Sequence, residues 1–488
     1  MAEPPARQFA KTAIFAGMKR LILTILAVLT AAQLFPQQLR YATTRQDSLL
    51  AVKIIGSLNP EESTAQLMLK AGGMLMGQPY VAGTLDGPDD ETTCIYLTRT
   101  DCILFVETCL DLARAARSQG DFRDFALMVQ QSRYRHGQPS DYMERLHYTT
   151  EWIRHNEARG ILKDVTLECG GKVYAHPINY MSTHPDSYPK LGSSITQIEA
   201  DLNRSPFTYI PKSDVSDVRL LPGDIICFVT TIEGLDIQHV AIHIGDGRFM
   251  HASTSLKKVA VDERTVSEYC NSMRSIAGIK VVRATDAFVP GDKVPSGQAD
   301  DTFFTDRPVP DHIFCLMQGR SMRSGCTVRV DELRYLTVLH KDIEGATHVG
   351  ELIVHRDISK DVLDIFRKLY SLSYPIEKIR LIDYYNADDE LSMTDNNSSA
   401  FNWRTVLNTG KPSRHGAGMA IDINPLYNPC CHSNGNVQPA AGRPYAGRAA
   451  VVPYGIVKGD ACHRLFLEKG FKWGGSWKSV KDYQHFEK

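Results

Sequence analysis

Two stretches decide the fold of the first half of this 488-residue chain. They are Asp101-Cys102-Ile103-Leu104-Phe105-Val106-Glu107-Thr108-Cys109-Leu110-Asp111-Leu112 and Gln238-His239-Val240-Ala241-Ile242-His243-Ile244-Gly245-Asp246-Gly247-Arg248-Phe249-Met250-His251-Ala252. In the first stretch, apolar residues recur at helical spacing behind an N-cap candidate, Asp101, which predicts a helix over 102–116. The second stretch predicts two strands, 240–244 and 249–252, joined by a tight Gly-Asp-Gly turn.

The same stretches suggest a cysteine nucleophile. A thiol in the first turn of a helix, where Cys102 lies, is activated by the helix N-terminus and by a neighbouring imidazole. His239 and His243 share one strand face because side chains alternate. His251 follows on the next strand, where it can sit beside His239 and fix its tautomer. A lone cysteine on an amphipathic helix is usually a small buried hydrophobe, so the prediction depends on the combination of all three residues.

This arrangement resembles the NlpC-type branch of the papain-like cysteine peptidases. Within that clan, most of residues 66–285 resembles the N-acetylmuramoyl-L-alanine amidase-like family. The segments that carry the narrower resemblance are Gly77-Gln78-Pro79-Tyr80-Val81-Ala82-Gly83-Thr84-Leu85, Asp101 to Glu107, Arg145-Leu146-His147-Tyr148 and Leu221-Pro222-Gly223-Asp224-Ile225-Ile226. The resemblance implies a helix bundle packed on an antiparallel sheet, without a cofactor. It also implies Cys102 as nucleophile, His239 as general base, His251 as orienting residue and Tyr80 near the oxyanion position.

A second constellation lies near the end of the chain. Residues 413–425 read Ser-Arg-His-Gly-Ala-Gly-Met-Ala-Ile-Asp-Ile-Asn-Pro, and residues 482–487 read Asp-Tyr-Gln-His-Phe-Glu. Two imidazoles and a carboxylate, here His415, His485 and Asp422, are the ligand set of a catalytic zinc ion that keeps a fourth position open. Asp482 precedes His485 by three positions and is a candidate general base, while Arg404 can neutralise an oxyanion.

These motifs resemble the zinc D-alanyl-D-alanine carboxypeptidase and L-alanyl-D-glutamate endopeptidase family, which includes VanY-type enzymes. The resemblance covers roughly residues 333–488. It implies Zn2+ bound by His415, Asp422 and His485, Asp482 as base, and Arg404 and Ser413 as substrate contacts. The chain departs from better-known members at Asp482, where those members carry glutamate.

Domain boundaries follow from composition. Residues 289–310 are dense in proline, glycine and acidic residues and predict a linker between a papain-like domain, 46–288, and a smaller α+β zinc peptidase domain, 311–488. In the second domain, strands are predicted at 351–354 and 379–384, around a helix at 357–372. The fold class is therefore α+β in both halves.

Composition and the N-terminus limit the compartment and the partners. The net charge of -1 gives no basic footprint for nucleic acid. Residues 1–32 contain Met18-Lys19-Arg20 followed by a short apolar run that ends in small residues, which predicts a signal peptide with translation starting at Met18. The run is too short for a stable membrane span. We therefore expect an exported protein, periplasmic or associated with the cell envelope. Its eleven cysteines are an odd number, which leaves disulfide pairing and oligomeric state open.

The sequence therefore predicts a bifunctional peptidoglycan hydrolase. The thiol domain would cleave the amide between N-acetylmuramic acid and L-alanine, and the zinc domain would cut the peptide stem as a carboxypeptidase or an endopeptidase. Two alternatives stay open. The first domain could be a gamma-D-glutamyl-diamino acid endopeptidase, or one domain could be an inactive wall-binding module.

Overall fold

The architecture is that of a computed structural model, which describes residues 41–86, 91–188, 190–405, 412–448, 452 and 454–488. The predicted signal peptide, 1–32, lies outside these residues. Helices and strands are mixed in both halves, so the predicted α+β class is confirmed. Within the described ranges, no helix is long and apolar enough to cross a lipid bilayer.

The helices of the described residues are α1 (Arg45–Ser57), α2 (Thr64–Met74), α3 (Cys102–Arg117), α4 (Phe122–Arg133), α5 (Thr149–Ala158), α6 (Tyr180–Thr183), α7 (Ile195–Arg204), α8 (Val266–Ser272), α9 (Asp311–Met317), α10 (Ser359–Ser371), α11 (Asp389–Thr394) and α12 (Ala461–Glu468). The strands are β1 (Tyr41–Thr43), β2 (Thr93–Ile95), β3 (Leu162–Asp164), β4 (Lys172–Tyr174), β5 (Phe207–Pro211), β6 (Ile225–Thr230), β7 (Ile237–Gly245), β8 (Arg248–Ser253), β9 (Lys258–Val261), β10 (Ile276–Ala284), β11 (Lys293–Val294), β12 (Thr305–Pro308), β13 (Leu333–Lys341), β14 (Thr347–His355), β15 (Lys378–Ile379), β16 (Asn397–Ser398), β17 (Ala420–Asp422), β18 (Cys430–His432), β19 (Val437–Gln438), β20 (Lys472–Trp473), β21 (Val480–Asp482) and β22 (His485–Glu487).

The first domain is an antiparallel sheet with a core on each face. Its strands follow the order β4-β5-β10-β6-β7-β8-β9, with β3 also paired to β10. Because side chains alternate along a strand, Ile225 and Cys227 of β6 join the core formed with α2 and α3, while Ile226 and Phe228 join the core on the other face, under α8. Helix α3 is buried along almost its whole length, so its N-terminus has a fixed position against the sheet.

The second domain contains a four-stranded sheet, β11-β14-β13-β12, and two three-stranded sheets, β17-β22-β20 and β19-β18-β21. Helix α10 packs on the larger sheet through an apolar face that includes Val362, Ile365 and Phe366. Strand β22 pairs with β17 and places His485 directly opposite Asp422.

The predicted linker, 289–310, is wrong as a free connector. Strand β11 pairs with β14 and strand β12 pairs with β13, so this segment supplies both edges of the four-stranded sheet. Edge strands tolerate proline, here Pro308, because one side of the backbone needs no ladder hydrogen bond. A composition rich in proline therefore did not distinguish an edge strand from a linker.

Polar contacts join the first domain to the start of the second, one of them buried and one partly exposed. Arg114 of α3 donates to Asp111 at 2.9 Å and reaches Asp292, beside β11, at 3.3 Å. Lys293 of β11 donates to Asp124 of α4 at 2.9 Å. The helix that carries Cys102 is thus tied directly to the start of the second domain.

One predicted strand of the second domain is also wrong in extent. Of the predicted strand 379–384, only Ile379 is extended, as the second residue of β15 (Lys378–Ile379). Residues Ile382–Tyr385 form a short 3-10 helix instead. The parallel partner of β15, β16, is itself only two residues long, so the ladder ends there and the apolar residues that follow are buried by a turn instead.

Candidate active sites

The first site begins with the N-terminus of α3. The Asp101 carboxylate caps the helix by accepting from the Leu104 N–H at 3.0 Å, and Cys102 is the first helical residue. The main-chain N–H of Val240, the residue after His239, donates to the Cys102 sulfur. Burial nevertheless raises the pKa of the Cys102 thiol to about 12, and the Asp101 charge adds to this effect. The resting thiol is therefore protonated and needs a base to become a nucleophile.

The second feature of this site is a pair of adjacent histidines, His239 on β7 and His251 on β8. His239 Nε2 and His251 Nδ1 lie 2.6 Å apart, and both rings are buried. Burial lowers the pKa of His239 to about 3, with a further contribution from His251, and lowers the pKa of His251 to about 4. Both rings are neutral at pH 7, which suits a general base. The third histidine of the segment, His243, instead uses Nδ1 to donate to the Leu221 carbonyl oxygen at 2.9 Å.

Two further residues complete this network, and sequence reasoning missed both. The Asp262 carboxylate Oδ2 lies 3.4 Å from His251 Nε2, and Asp262 is paired with Arg264 at 2.9 Å. Asp262 lies eleven positions after His251, beyond the end of β9. The pairing of β9 with β8 brings it back to His251, a relationship that no short motif displays.

Tyr80 lies close enough to Cys102 for their charges to interact. Its N–H donates to the Lys257 carbonyl oxygen at 2.9 Å, which fixes the segment against β9. Burial raises the pKa of Tyr80 to about 12, and Cys102 and Asp101 add to that rise. The phenol therefore stays protonated and can donate a hydrogen bond near the Cys102 sulfur.

The second site is a compact triangle of ligand atoms. His415 Nε2 lies 3.0 Å from His485 Nδ1 and 3.2 Å from Asp422 Oδ1, and His485 Nδ1 lies 3.1 Å from the same Asp422 oxygen. Among the described residues this is the cluster of histidine, cysteine and acidic side chains with the spacing of a metal site. Ligands about 2.0–2.1 Å from a tetrahedral zinc ion stand about 3.3 Å apart, so the triangle fits zinc closely.

The ring nitrogen of each histidine that points away from the triangle also has a polar neighbour. His415 Nδ1 lies 2.6 Å from the Ala400 carbonyl oxygen, and His485 Nε2 lies 3.4 Å from Glu487 Oε2. Partners of this kind fix the tautomer of a metal-binding histidine and orient its ring. The donor set and its supports therefore fit the zinc that the sequence predicts.

Asp482 is placed beside the triangle on β21. Its Oδ1 is buried and has no hydrogen-bond partner among the described residues. Burial raises the pKa of Asp482 to about 6, and the nearby Asp422 charge adds to the rise. A buried carboxylate oxygen without a partner, next to an open metal position, is suited to hold a water molecule and accept its proton. Cys430, which sequence reasoning did not connect with this site, lies opposite Asp482 in the sheet and hydrogen-bonds to it.

The two predicted substrate contacts flank His415. The Ser413 hydroxyl accepts from the Gly416 N–H at 2.9 Å and so shapes the turn that presents His415. Gly416 has no room for a side chain, because a Cβ would lie 2.8 Å from the Arg404 carbonyl oxygen. The Arg404 guanidinium is paired with Asp389 and remains half-exposed.

The fold is α+β, and each half of the chain holds one of the two candidate sites. The family model described as N-acetylmuramoyl-L-alanine amidase-like matches residues 70–279, and the model described as D-alanyl-D-alanine carboxypeptidase matches residues 407–488. The chain is 32% identical to a solved N-acetylmuramoyl-L-alanine amidase from Bacteroides uniformis, over 46% of this chain and 99% of that one, with a TM-score of 0.42. It is also similar to a Legionella pneumophila protein at 22% identity, over 49% of this chain and 95% of that one, with a TM-score of 0.40. No curated protein matches.

Residues 70–279 therefore belong to the N-acetylmuramoyl-L-alanine amidase-like family, and residues 407–488 are a D-alanyl-D-alanine carboxypeptidase family domain. Both family resemblances inferred from the sequence are confirmed, the second over residues 407–488 and not over the whole of the predicted 333–488.

Proposed function

We propose that this protein is an exported, bifunctional peptidoglycan hydrolase. Its first domain cleaves the amide between N-acetylmuramic acid and L-alanine with a cysteine nucleophile. Its second domain is a zinc peptidase that acts on the peptide stem. The observation that supports the proposal is that each family match contains one candidate cluster. The first holds the histidine pair and Cys102, whose sulfur accepts from the N–H of the residue after His239, and the second holds the His415-Asp422-His485 triangle.

In the first domain, His239 accepts the thiol proton as Cys102 attacks the amide carbonyl carbon. Tyr80 offers its hydroxyl proton to the oxygen that gains charge. His239 then returns the proton to the departing amine of L-alanine, which leaves a thioester on Cys102. Water, deprotonated by His239, hydrolyses the thioester and frees the muramic acid carboxylate. The neutral histidine pair supports this role because a base must be unprotonated before the attack.

In the second domain, His415, Asp422 and His485 would hold Zn2+, which when bound polarises the scissile carbonyl and acidifies a water molecule. Asp482 accepts a proton from water and delivers it to the leaving amine. Arg404 exchanges Asp389 for a negatively charged group of the substrate. The buried, unpartnered Oδ1 of Asp482 supports its part in this scheme.

Product analysis on a defined muropeptide with a full stem tests both halves at once. The intact chain should release muramic acid free of peptide, and it should also shorten or split the stem. Chelation should stop only the second reaction. Release of a dipeptide-substituted sugar by a chelator-resistant activity would instead identify the first domain as a gamma-D-glutamyl endopeptidase. Binding of the polymer without any cleavage would identify a wall-binding module.

A further inference from the structure

A buried carboxylate, that of Asp262, lies beside His251 on the side away from His239. Strand β9 pairs with β8 so that Ala260 lies opposite His251. Asp262 is the first residue after β9, two positions beyond Ala260. The Asp262 N–H donates to the Phe249 carbonyl oxygen at 3.0 Å, which ties its backbone to β8 two residues before His251. The Asp262 side chain is 6% exposed, and its Oδ2 faces His251 Nε2 at 3.4 Å. That nitrogen is buried and makes no hydrogen bond within the described part of the chain.

Arg264 holds this carboxylate in place and in its ionised form. Arg264 Nε donates to Asp262 Oδ1 and its terminal nitrogen donates to Oδ2, each at 2.9 Å. The Arg264 main-chain N–H donates to Oδ1 as well, also at 2.9 Å. Burial opposes ionisation, but these hydrogen bonds outweigh it and lower the pKa of Asp262. The guanidinium lies over the Tyr269 ring at 4.6 Å, and Tyr269 packs against both histidine rings.

The charge of Asp262 determines which ring nitrogen of His251, and in turn of His239, carries the proton. An ionised carboxylate only accepts, so its charge, 3.4 Å from His251 Nε2, favours the tautomer of His251 that carries its proton on that nitrogen. A neutral imidazole has one N–H, so His251 Nδ1 is an acceptor. The 2.6 Å contact then requires His239 to donate from Nε2. The lone pair of His239 is consequently on Nδ1, the nitrogen left for the Cys102 thiol.

We propose that Asp262, clamped by Arg264, is the positioning residue that sets the tautomers of His251 and His239 and stabilises the positive charge that His239 gains on taking the thiol proton. This inference rests on the proposed thiol chemistry of the first domain and adds a fourth member to the cysteine and two histidines. Asp262 touches no substrate and acts through His251. The titratable and charged groups that face the pair are Asp262 and Arg264 after β9 and Tyr269 on α8. Cys102 on α3 lies near Tyr269.

Kinetics of the full-length chain test the role. Asp262→Asn should lower kcat for release of peptide-free muramic acid by at least about 10-fold, within the roughly 10⁴-fold that loss of tautomer control costs in a serine protease, and should leave KM within about twofold. The acid limb of the kcat/KM profile should move to lower pH by about one unit, because the base loses a carboxylate that favours its protonated form. Asp262→Glu should recover part of kcat and the original limb.

The matched control is Asp246→Asn in the β7–β8 turn. Asp246 is exposed, and its φ of +50° is one that asparagine adopts readily. This variant therefore makes the same charge change in the hairpin that carries the two histidines, without touching the pair. An Asp262→Asn variant with the kcat and acid limb of Asp246→Asn would overturn the proposal. So would a loss of kcat in a variant that keeps its melting temperature but shows no movement of the acid limb.

Nitrogen-15 NMR of the histidine side chains in the wild-type chain decides the tautomers without reference to activity. The expected result is protonated Nε2 on both His239 and His251. A proton on Nδ1 of either ring would overturn the inference even if the amide is cleaved. Conversely, a wild-type chain with the expected tautomers but no amide cleavage would refute the proposed function and leave the positioning by Asp262 intact. This measurement also decides the matter if Asp262→Asn does not fold.

Discussion

His415 Nε2 and His485 Nδ1 lie 3.0 Å apart, although 70 residues separate the two histidines in the chain. The antiparallel pairing of β17 with β22 closes this distance, because it sets Asp422 opposite His485. The proposed metal site is therefore complete only when the last strand of the chain has joined the sheet. Metal binding and docking of that strand should consequently stabilise each other.

Asp422→Asn removes the carboxylate of the triangle. We expect zinc affinity to fall by more than the roughly 10- to 100-fold that loss of an outer partner costs, and the stem peptidase activity to disappear. Zinc content after dialysis and the melting temperature of the second domain, with and without added zinc, measure this. Asp331→Asn, an exposed residue of the same domain, is the control. Full zinc occupancy in Asp422→Asn would contradict the ligand set.

Cys102→Ala removes the proposed nucleophile while keeping a small side chain at the helix N-terminus. Release of peptide-free muramic acid should fall by at least roughly 10³-fold, and cleavage of the stem by the second domain should be unchanged. Mass spectrometry of the muropeptide products measures both. Cys315→Ala, at an exposed cysteine, should retain both activities. Continued amidase activity in Cys102→Ala would remove the thiol mechanism.

His340 makes the stability of the second domain depend on pH. Burial, with a smaller effect of His348, lowers the pKa of His340 to about 3, below the ordinary value of 6.5 that it regains on unfolding. Its contribution is complete above pH 6.5 and is lost as the pH falls toward 3, and the loss at pH 5 is about 2 kcal/mol.

In His340→Gln, the drop in melting temperature of the second domain between pH 7.5 and pH 5 should therefore be about 4–8 °C smaller than in the wild type. Calorimetry at equal zinc concentration measures the difference, since the metal site then contributes equally to both proteins. Identical drops in the two proteins would mean that His340 takes up its proton without unfolding.

Asp292 links the two domains through Arg114 and also accepts from the Val289 N–H at 3.0 Å. Asp292→Ala leaves this buried N–H without an acceptor, and we expect a loss of about 1–3 kcal/mol together with faster proteolysis within 289–310. Arg114 keeps Asp111 as its partner, which limits the cost. Asp301→Ala, whose carboxylate is exposed, should have a much smaller effect. Unchanged proteolysis in Asp292→Ala would show that the contact does not hold the segment.

The sequence was most informative where a short motif carries the chemistry. Cys102 at a capped helix start, His239 on a strand and His251 after a tight turn are all visible as local patterns, and so is the spacing of His415 and Asp422. Asp262 was not visible, because its relation to His251 depends on strand pairing rather than on spacing. The 289–310 segment was misread because proline and glycine serve both connectors and sheet edges, and only the pairing with β13 and β14 separates the two cases.

The edge strands β11 and β12 have a practical consequence for anyone who wishes to express the second half alone. A fragment that begins at residue 311 would lack both outer strands, β11 and β12. The unpaired amide and carbonyl groups of β13 and β14 would then be exposed and would promote aggregation through edge-to-edge pairing. A fragment that begins near residue 289 keeps those borders covered. The place of the cut, rather than the choice of tag or host, should decide whether that half is recovered in solution.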